Sequence, residues 1–188
     1  MSAVLKPAPM SVAEYLSGEE QSEVRHEYIG GSVYAMAGGS EEHCTITGNL
    51  FAALHAHLRG QRCRAFVADM KVRLVLRGEE VFYYPDVVVA CDPRDTDRYF
   101  KRYPQVLIEV LSDSTERIDR REKRWSYLQM ESLEEYVLVA QDYWEVTVYR
   151  RGHEWAPEIL ASPDSVLTLP SLEFSVPLSA IYEGLARV

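Results

Sequence analysis

Cysteine is scarce in this 188-residue sequence, and none of it is arranged as a metal or redox motif. Cys44, Cys63 and Cys91 are odd in number, widely spaced and without a CxxC pair. Such spacing argues against a disulfide framework and against a thiolate metal site. We therefore expect three reduced thiols.

Long apolar runs are also missing. The longest, such as residues 87–91, fall far short of the roughly 20 residues that a membrane-spanning helix needs, so no membrane segment is predicted. The opening MSAVLKPAPM lacks the apolar core and cleavage pattern of a secretory signal, and its prolines favour a flexible lead over residues 1–10. The length and the 47% hydrophobic content suit one core, so we expect a cytoplasmic protein with a single domain over residues 11–188.

Positive charge is in short supply, with a formal net charge of −9. This balance argues against a surface that binds nucleic acid everywhere, because phosphate binding depends on Lys and Arg. The charge is uneven, however. Residues 94–124 hold nine basic and seven acidic side chains, or +2, which leaves −9 − 2 = −11 for the rest. Mixed charge of this kind is common on exposed helices. This segment, however, includes Glu109, which lies within an apolar run, so the basic residues are clustered near that carboxylate.

Several catalytic motifs are absent: GxxxxGK[ST], GxGxxG after a strand, GxSxG, HExxH and Ser-x-x-Lys. P-loop hydrolysis, dinucleotide chemistry and the common serine hydrolases are therefore disfavoured. His43 and Cys44 are adjacent and would point about 100° apart on a helix, which forms a poor nucleophile pair. His55 and His57 would lie on opposite sides of the same helix, which argues against a shared metal.

The beginning of the sequence predicts a helix followed by a β-hairpin. Ser11 with Glu14 three residues later has the form of a capping box, which predicts a short helix over residues 12–18. Gly30 and Gly31 lie between alternating aromatic and branched residues, which predicts a two-residue turn between two strands.

The middle of the sequence predicts an α/β fold. Apolar residues recur at the spacing of one helical face between residues 41 and 59, at Ile46, Leu50, Phe51, Leu54 and Leu58. The strings RAFVADMKVRLVL, VFYYPDVVVAC and QVLIEVL read as successive strands, and the last two are nearly continuous apolar runs. Runs of this kind belong to a sheet that is covered on both faces. We therefore expect a mixed central sheet flanked by helices.

The second half predicts two further helices and a strand pair. Asp113 and Glu116 can cap a helix over residues 114–130. Its predicted inward stripe is Ile118, Trp125 and Leu128, and its other stripe is Asp119, Lys123 and Tyr127. EYVLVAQDYWEVTVYRR predicts two strands, and a closing helix is indicated by Leu178, Ile181, Tyr182 and Leu185.

Glu109 interrupts the apolar run VLIEVL, where a carboxylate is costly unless it is paired or binds a metal. Asp86 follows Pro85 at the entrance of the preceding apolar strand, and Lys123 comes fourteen residues after Glu109. Each has an ordinary interpretation, because Pro-Asp is a common turn pair and Lys123 could pair with Asp119 one helical turn away. Together they predict two carboxylates and one amine at a single edge of a sheet.

These residue types suit metal-assisted hydrolysis. Mg²⁺, with Mn²⁺ as an alternative, prefers oxygen ligands, and Asp86 and Glu109 could hold it while leaving positions for water and a phosphate oxygen. Lys123 could orient the attacking water or stabilise developing charge. It could also deprotonate the water, which an always-protonated guanidinium could not. The chain has sixteen Arg and four Lys, which makes a lysine here a mild indication of chemical choice. With no cation bound, repulsion between the carboxylates predicts that Glu109→Ala is tolerated or even stabilising.

YYPDVVVACD and VLIEVLSDSTERIDRREKRWSYLQMESLEEYVLVAQD resemble the Uma-type restriction endonucleases, a branch of the PD-(D/E)xK nuclease superfamily. HEYIGGSVYAMAGGSEEHCTITGNLFAAL is similar to the N-terminal hairpin and helix of that family. The resemblance implies a restriction-endonuclease-like fold in which Asp86 and Glu109 bind metal and a lysine serves catalysis. Leu111 stands at the usual lysine position, so the resemblance implies that this role has moved to Lys123.

Two further residues are weaker candidates for the site. Glu42 and His43 open the second helix and could face the edge of the sheet, where superfamily members often add a polar helix residue. A histidine there is more often a cap or a hydrogen-bonding partner than a ligand. His43 is the better of the two candidates.

Three functions are compatible with these residues. The first is metal-dependent hydrolysis of DNA phosphodiester bonds by a homodimer, which the resemblance and the need to cut two strands both imply. The second is a catalytically weak nuclease-fold module that binds nucleic acid or a protein partner. The third is a metal-free acid/base enzyme such as a glycosidase, which only the two carboxylates support.

Overall fold

The computed structural model describes residues 9–112 and 119–185. Its helices are α1 (Val12–Glu19), α2 (Glu41–His57), α3 (Arg124–Tyr127) and α4 (Leu178–Ile181). Its first strands are β1 (His26–Ile29), β2 (Ser32–Ala35), β3 (Arg64–Val67), β4 (Lys71–Leu76), β5 (Glu79–Tyr83), β6 (Val87–Ala90) and β7 (Phe100–Lys101). The remaining strands are β8 (Pro104–Leu111), β9 (Glu135–Ala140), β10 (Val146–Arg150), β11 (Pro157–Leu160), β12 (Val166–Leu169) and β13 (Phe174–Pro177).

The strands form two main sheets and a small one. The five-stranded sheet has the order β2-β1-β5-β4-β7, the six-stranded sheet has the order β11-β10-β9-β8-β6-β3, and β12 pairs with β13. Strands β4 and β7 are parallel, as are β8 and β9, while the other pairs are antiparallel. The predicted α/β class with mixed sheets and flanking helices is therefore confirmed, with the strands divided between sheets.

The division occurs at two places where the sequence predicted continuous strands. RAFVADMKVRLVL breaks at Ala68, whose positive φ of 60° ends β3 before β4 begins in the other sheet. VFYYPDVVVAC breaks between β5 and β6, and Pro85 lies in the break. Proline cannot donate to a sheet, so this break coincides with the predicted strand entrance at Asp86.

Strand β8 separates two apolar cores. Val106, Ile108 and Val110 face the core that α2 covers with Ile46, Leu50 and Leu54. Leu107 and Leu111 alternate to the other face and pack in a second core with Tyr83 and Tyr127. Because side chains alternate along a strand, Glu109 lies on the same face as Leu107 and Leu111.

The N-terminal elements agree with their sequence patterns. Ser11 and Glu14 form the predicted capping box of α1, and α2 presents its predicted face to the core. The Gly30-Gly31 turn joins β1 to β2, and Gly31 has a φ of +92°. A Cβ on Gly31 would lie 2.5 Å from Pro9 Cβ, so glycine is required there for space as well as for conformation. Residues 1–8 of the predicted flexible lead lie outside the described residues.

The helix predicted over residues 114–130 is partly described. A π-helical turn over Asp119–Lys123 leads into α3, whereas the predicted cap at Asp113 and the start of the helix lie outside the described residues. The predicted inward stripe is wrong at Trp125, which is 49% exposed. Lys123 and Tyr127, from the other stripe, are buried instead, because they meet a buried carboxylate on β8.

The expectation of three reduced thiols is also wrong, because Cys63 and Cys91 form a disulfide. The pairing of Arg64 with Ala90 in the β3–β6 ladder places these cysteines opposite each other just beyond it. Sequence spacing could not reveal this contact, because it depends on the register of two strands. Cys44 is the free thiol. No helix in the described ranges is both long and apolar enough to cross a membrane.

Candidate active site

Glu109 lies in the middle of β8 and is only 3% exposed. The Tyr127 hydroxyl donates a hydrogen bond to Glu109 Oε1 at 3.1 Å, and Lys123 Nζ lies 3.5 Å from the same oxygen. Both partners come from the turn and helix that cover this face of β8. The carboxylate in the apolar run is thus compensated by an ammonium and a hydroxyl, as burial of a charge requires.

Asp86 lies beside Glu109, in the link between β5 and β6. The β6–β8 ladder pairs Val87 with Ile108, so the next position along each strand brings residue 86 to residue 109. Asp86 Oδ2 accepts a hydrogen bond from the Val110 N–H at 2.7 Å. Its carbonyl accepts another from the Ala68 N–H at 3.0 Å, which fixes the link at the end of β3. The structure therefore brings the two predicted carboxylates together, but where the β5–β6 link meets β8 among the inner strands, not at an edge of the six-stranded sheet.

A third carboxylate, Glu27 of β1, also contacts Lys123. Glu27 Oε1 lies 2.9 Å from Lys123 Nζ, closer than Glu109 Oε1 at 3.5 Å. The pairing of Tyr28 with Phe82 turns Tyr28 toward the core of α1 and leaves Glu27 on the opposite face of the sheet, toward Tyr83. Lys123 Nζ also lies 5.7 Å from the centroid of the Tyr83 ring. Burial raises the pKa of that phenol, which favours its neutral form.

His43 contacts Asp86 from the first turn of α2. Its Nε2 lies 3.2 Å from Asp86 Oδ1, and its backbone N–H donates to the N-cap Ser40 Oγ at 3.1 Å. A Cβ on Gly39 would lie 2.8 Å from His43 Nδ1, so the glycine leaves space for the ring. Glu42 is exposed, and among the described residues it does not contact the two carboxylates.

The site is open on one side and closed on the other. The side chains of His43 and Asp86 are each 18% exposed, whereas those of Lys123 and Glu109 are 7% and 4% exposed. A substrate would therefore approach from the His43–Asp86 side. Lys123 and Glu109 lie deeper, where charge interactions are less screened.

The donor set fits a hard divalent cation that is shared with substrate. Glu27, Asp86 and Glu109 against Lys123 give a formal charge of −2, which a divalent cation would balance. The described residues contain no group of three or more His, Cys, Asp or Glu side chains poised to hold a metal. Mg²⁺ typically uses one or two carboxylates together with water and substrate phosphate, so two carboxylates suffice.

The lysine position also has a structural explanation. The Leu111 side chain is buried in the apolar core beside Tyr127 and leaves no amine on β8. Lys123 Nζ reaches Glu109 from the helix side instead. The alternative pairing of Lys123 with Asp119 is not described, because the Asp119 side chain lies outside the described residues.

The sequence analysis missed two residues of this cluster. Tyr127 shares a helical stripe with Lys123, four residues away, and that spacing is a signal that the two side chains are neighbours. Glu27 offers no comparable signal, because β1 reaches the cluster through another sheet. Only the pairing of β1 with β5 brings it there.

Comparisons with known proteins agree with the fold. Residues 12–179 match the model of the Uma2 family, which is described as "Putative restriction endonuclease". The Synechocystis protein slr1290 is 37% identical to this chain over 180 residues. The aligned region covers 94% of this chain and 93% of the length of slr1290. Another Synechocystis protein, sll1609, is 34% identical to this chain over 154 residues. The aligned region covers 80% of this chain and 86% of the length of sll1609.

A solved structure shares the fold. The crystal structure of a "putative nuclease belonging to DUF820" from Anabaena variabilis superposes with a TM-score of 0.76 at 20% identity. The match covers 93% of this chain and 98% of that one. The family match extends over both sheets and all the residues of the candidate site. This chain therefore belongs to the Uma2 family of restriction-endonuclease-like nucleases.

Proposed function

We propose that this protein is a metal-dependent endonuclease that hydrolyses DNA phosphodiester bonds as a homodimer. The observation that carries the proposal is the contact of Lys123 with Glu109 beside Asp86, in a site that is open on the Asp86 side. Asp86 and Glu109 would hold Mg²⁺ or Mn²⁺. The bound cation would supply Lewis-acid stabilisation of charge on the phosphate.

The side chains of the cluster then have separate roles. Lys123 orients the attacking water or stabilises the developing negative charge, and an amine that Glu27 holds in place is suited to either. His43 positions Asp86 through its 3.2 Å contact. Asp86 is fixed from the other side by the Val110 N–H, so it can keep its position when a cation binds.

Metal binding is tested by thermal unfolding. Mg²⁺ or Mn²⁺ should raise the melting temperature of the wild type, because a ligand that binds only the folded state stabilises it. The rise should vanish in Glu109→Gln, which keeps an acceptor for Tyr127 and removes the charge. Glu42→Gln, at the exposed start of α2, is the matched control and should respond like the wild type. A wild type that is indifferent to both metals would contradict the proposed site.

Catalysis is tested by nicking of supercoiled DNA at fixed metal and salt. Lys123→Ala should keep metal-dependent stabilisation and lose about 10²-fold or more in rate, the scale of a lost general base or charge stabiliser. Lys123→Arg should not restore the rate, because a guanidinium is planar and cannot accept a proton. Equal rates for wild type and Lys123→Ala would remove Lys123 from catalysis and favour a binding module.

A further inference from the structure

An exposed tryptophan lies on the outer side of the helix that carries the buried Tyr127. Trp125 is 49% exposed, and it lines two surface grooves of about 460 and 400 Å³. One groove continues to Arg77, at the β4–β5 turn, and the other to Tyr149 and Trp155. We call Arg77, Arg124, Trp125, Tyr149 and Trp155 the Trp125 face.

Guanidinium groups lie on the aromatic rings of this face. The Arg77 guanidinium carbon is 5.5 Å from the Trp125 ring centroid, and that of Arg124 is 5.2 Å from the Tyr149 centroid. Arg124 also donates a hydrogen bond to the Tyr149 hydroxyl at 3.0 Å. Arg151, at the rim, lies over Trp155 at 5.1 Å.

The charge of the face differs from that of the molecule. Within the described part of the chain, neither Arg77 nor Arg124 forms a salt bridge with a carboxylate. The groove beside Trp155 is lined by Arg124 and no acidic residue, and the groove beside Arg77 is lined by that arginine and one acidic residue, Glu79. The two grooves together are therefore cationic, although the whole chain carries −9. An anion that can also stack on aromatic rings complements this combination of cations and rings.

We propose that the Trp125 face binds unpaired bases of single-stranded DNA, with Trp125 and Trp155 as stacking surfaces and Arg77 and Arg124 as phosphate contacts. Stacking on aromatic side chains beside a cationic track is how proteins hold single strands without regard to sequence. Duplex bases are already stacked on each other and cannot reach the rings. The inference rests on the proposed function and deepens it, because it gives the enzyme DNA with an unpaired segment as its substrate.

Fluorescence anisotropy of the full chain with a labelled 15-nucleotide oligo(dT), in EDTA so that nothing is cut, tests the proposal. The wild type should bind this strand more tightly than the matching duplex. Trp125→Ala should weaken binding roughly 5- to 150-fold, the range of one lost stacked base. Trp125→Phe should keep most of the affinity. Arg124→Gln should lower the slope of log K against log salt by about 0.7, as for one lost phosphate contact on a single strand.

Matched controls separate these effects from general changes. Tyr99→Ala removes a ring that is 50% exposed and lines neither groove, and Arg98→Gln removes one exposed charge outside the face. Tyr99→Ala should bind like the wild type, and Arg98→Gln should keep the wild-type salt slope. Melting temperatures of all variants should match, because these side chains are exposed or half-buried.

Several outcomes would overturn the inference. Equal affinity for the strand and the duplex, or equal losses in Trp125→Ala and Tyr99→Ala, would do so. Sedimentation in which Trp125→Ala changes the oligomeric state without changing DNA binding would make the face a subunit interface. If the protein nicks DNA in the presence of metal but Trp125→Ala binds DNA like the wild type, only this inference is contradicted. If Trp125→Ala weakens DNA binding but the wild type does not nick DNA, only the proposed function is contradicted.

Discussion

At the scale of single residues, the central feature is a buried ammonium between two carboxylates. Lys123 Nζ lies 2.9 Å from Glu27 and 3.5 Å from Glu109, so a cation that binds Glu109 must share this oxygen-rich site with the lysine. If Glu109 held the proposed metal, Glu27 would still offer Lys123 a partner. The proposed cation could then bind without removing every carboxylate from Lys123.

Removal of the lysine should reveal this balance. Lys123→Met leaves Glu27 and Glu109 buried without their cation, and we expect the free energy of unfolding at pH 7 to fall by about 3 kcal/mol or more. Urea unfolding at pH 7 measures the loss. An unchanged free energy at pH 7 would show that the three groups are not coupled.

Removal of Glu109 should cost less than removal of Lys123, but it should not be neutral. The sequence alone predicted tolerance of Glu109→Ala in metal-free protein, from repulsion with Asp86. The structure shows that Glu109 accepts from Tyr127 and faces Lys123, so the alanine leaves a buried hydroxyl without its acceptor. We expect a loss of about 1–3 kcal/mol in chelator, measured by urea unfolding. Glu109→Gln should lose less, since its amide oxygen can still accept.

Glu135 gives a pH-dependent contribution away from the site. Burial raises the pKa of this carboxyl, although Ser171 donates hydrogen bonds to it. An acid whose pKa is raised on folding contributes stability below its unfolded pKa, and the contribution is lost as the pH rises through the folded value. The ordinary pKa of a glutamate carboxyl is about 4.5. As the pH rises above that value, the free energy of unfolding of the wild type should fall relative to that of Glu135→Gln. A parallel pH profile for the two proteins would contradict the raised pKa.

At the scale of elements, two glycines should respond in opposite ways to alanine. Gly31 has a φ of +92° and no space for a Cβ beside Pro9, so Gly31→Ala should destabilise by about 1–3 kcal/mol. Gly48 lies inside α2 with nothing within 4 Å of its would-be Cβ, so Gly48→Ala should stabilise by about 0.5–1 kcal/mol. Melting of the two variants beside the wild type measures both. The same sign for both would contradict the assigned hairpin turn or the helix.

The β3–β6 ladder makes a prediction about thiols. The Cys63–Cys91 disulfide closes a separation of 28 residues, for which the loop-entropy relation gives about 3–4 kcal/mol of stabilisation. Thiol titration of unreduced, denatured protein should find one free thiol, Cys44. Reductant should lower the free energy of unfolding of the wild type and not that of Cys63→Ser/Cys91→Ser. Three titratable thiols would mean that the disulfide is absent from the protein as purified.

At the scale of the whole molecule, the proposed homodimer would place two sites against two strands of DNA. Two-fold symmetry is the commonest arrangement for a homodimer, and it matches the symmetry of duplex backbones. Sedimentation at micromolar concentration should show a dimer. A monomer at every concentration tested would leave each molecule able to nick one strand only.

Much of the local structure was predictable because it depends on neighbours in the sequence. The capping box of α1, the turn at Gly30 and the buried run of β8 each follow from patterns within a few residues. The same holds for Asp86, whose Pro-Asp pair marks the start of β6. The division into two sheets was not predictable in this way, since it depends on which distant strands pair.

What the sequence by itself determined was a carboxylate that cannot be buried alone, Glu109 within the apolar run of β8. The physical reason is local, because a carboxylate in a buried strand needs a partner wherever the strand lies. What only the tertiary structure decided was which partners it has. Glu27 meets Lys123 because β1 pairs with β5, and Trp125 faces solvent because Lys123 and Tyr127 turn toward Glu109. Contacts between separate sheets depend on the register of many strands at once, and no short pattern contains that information.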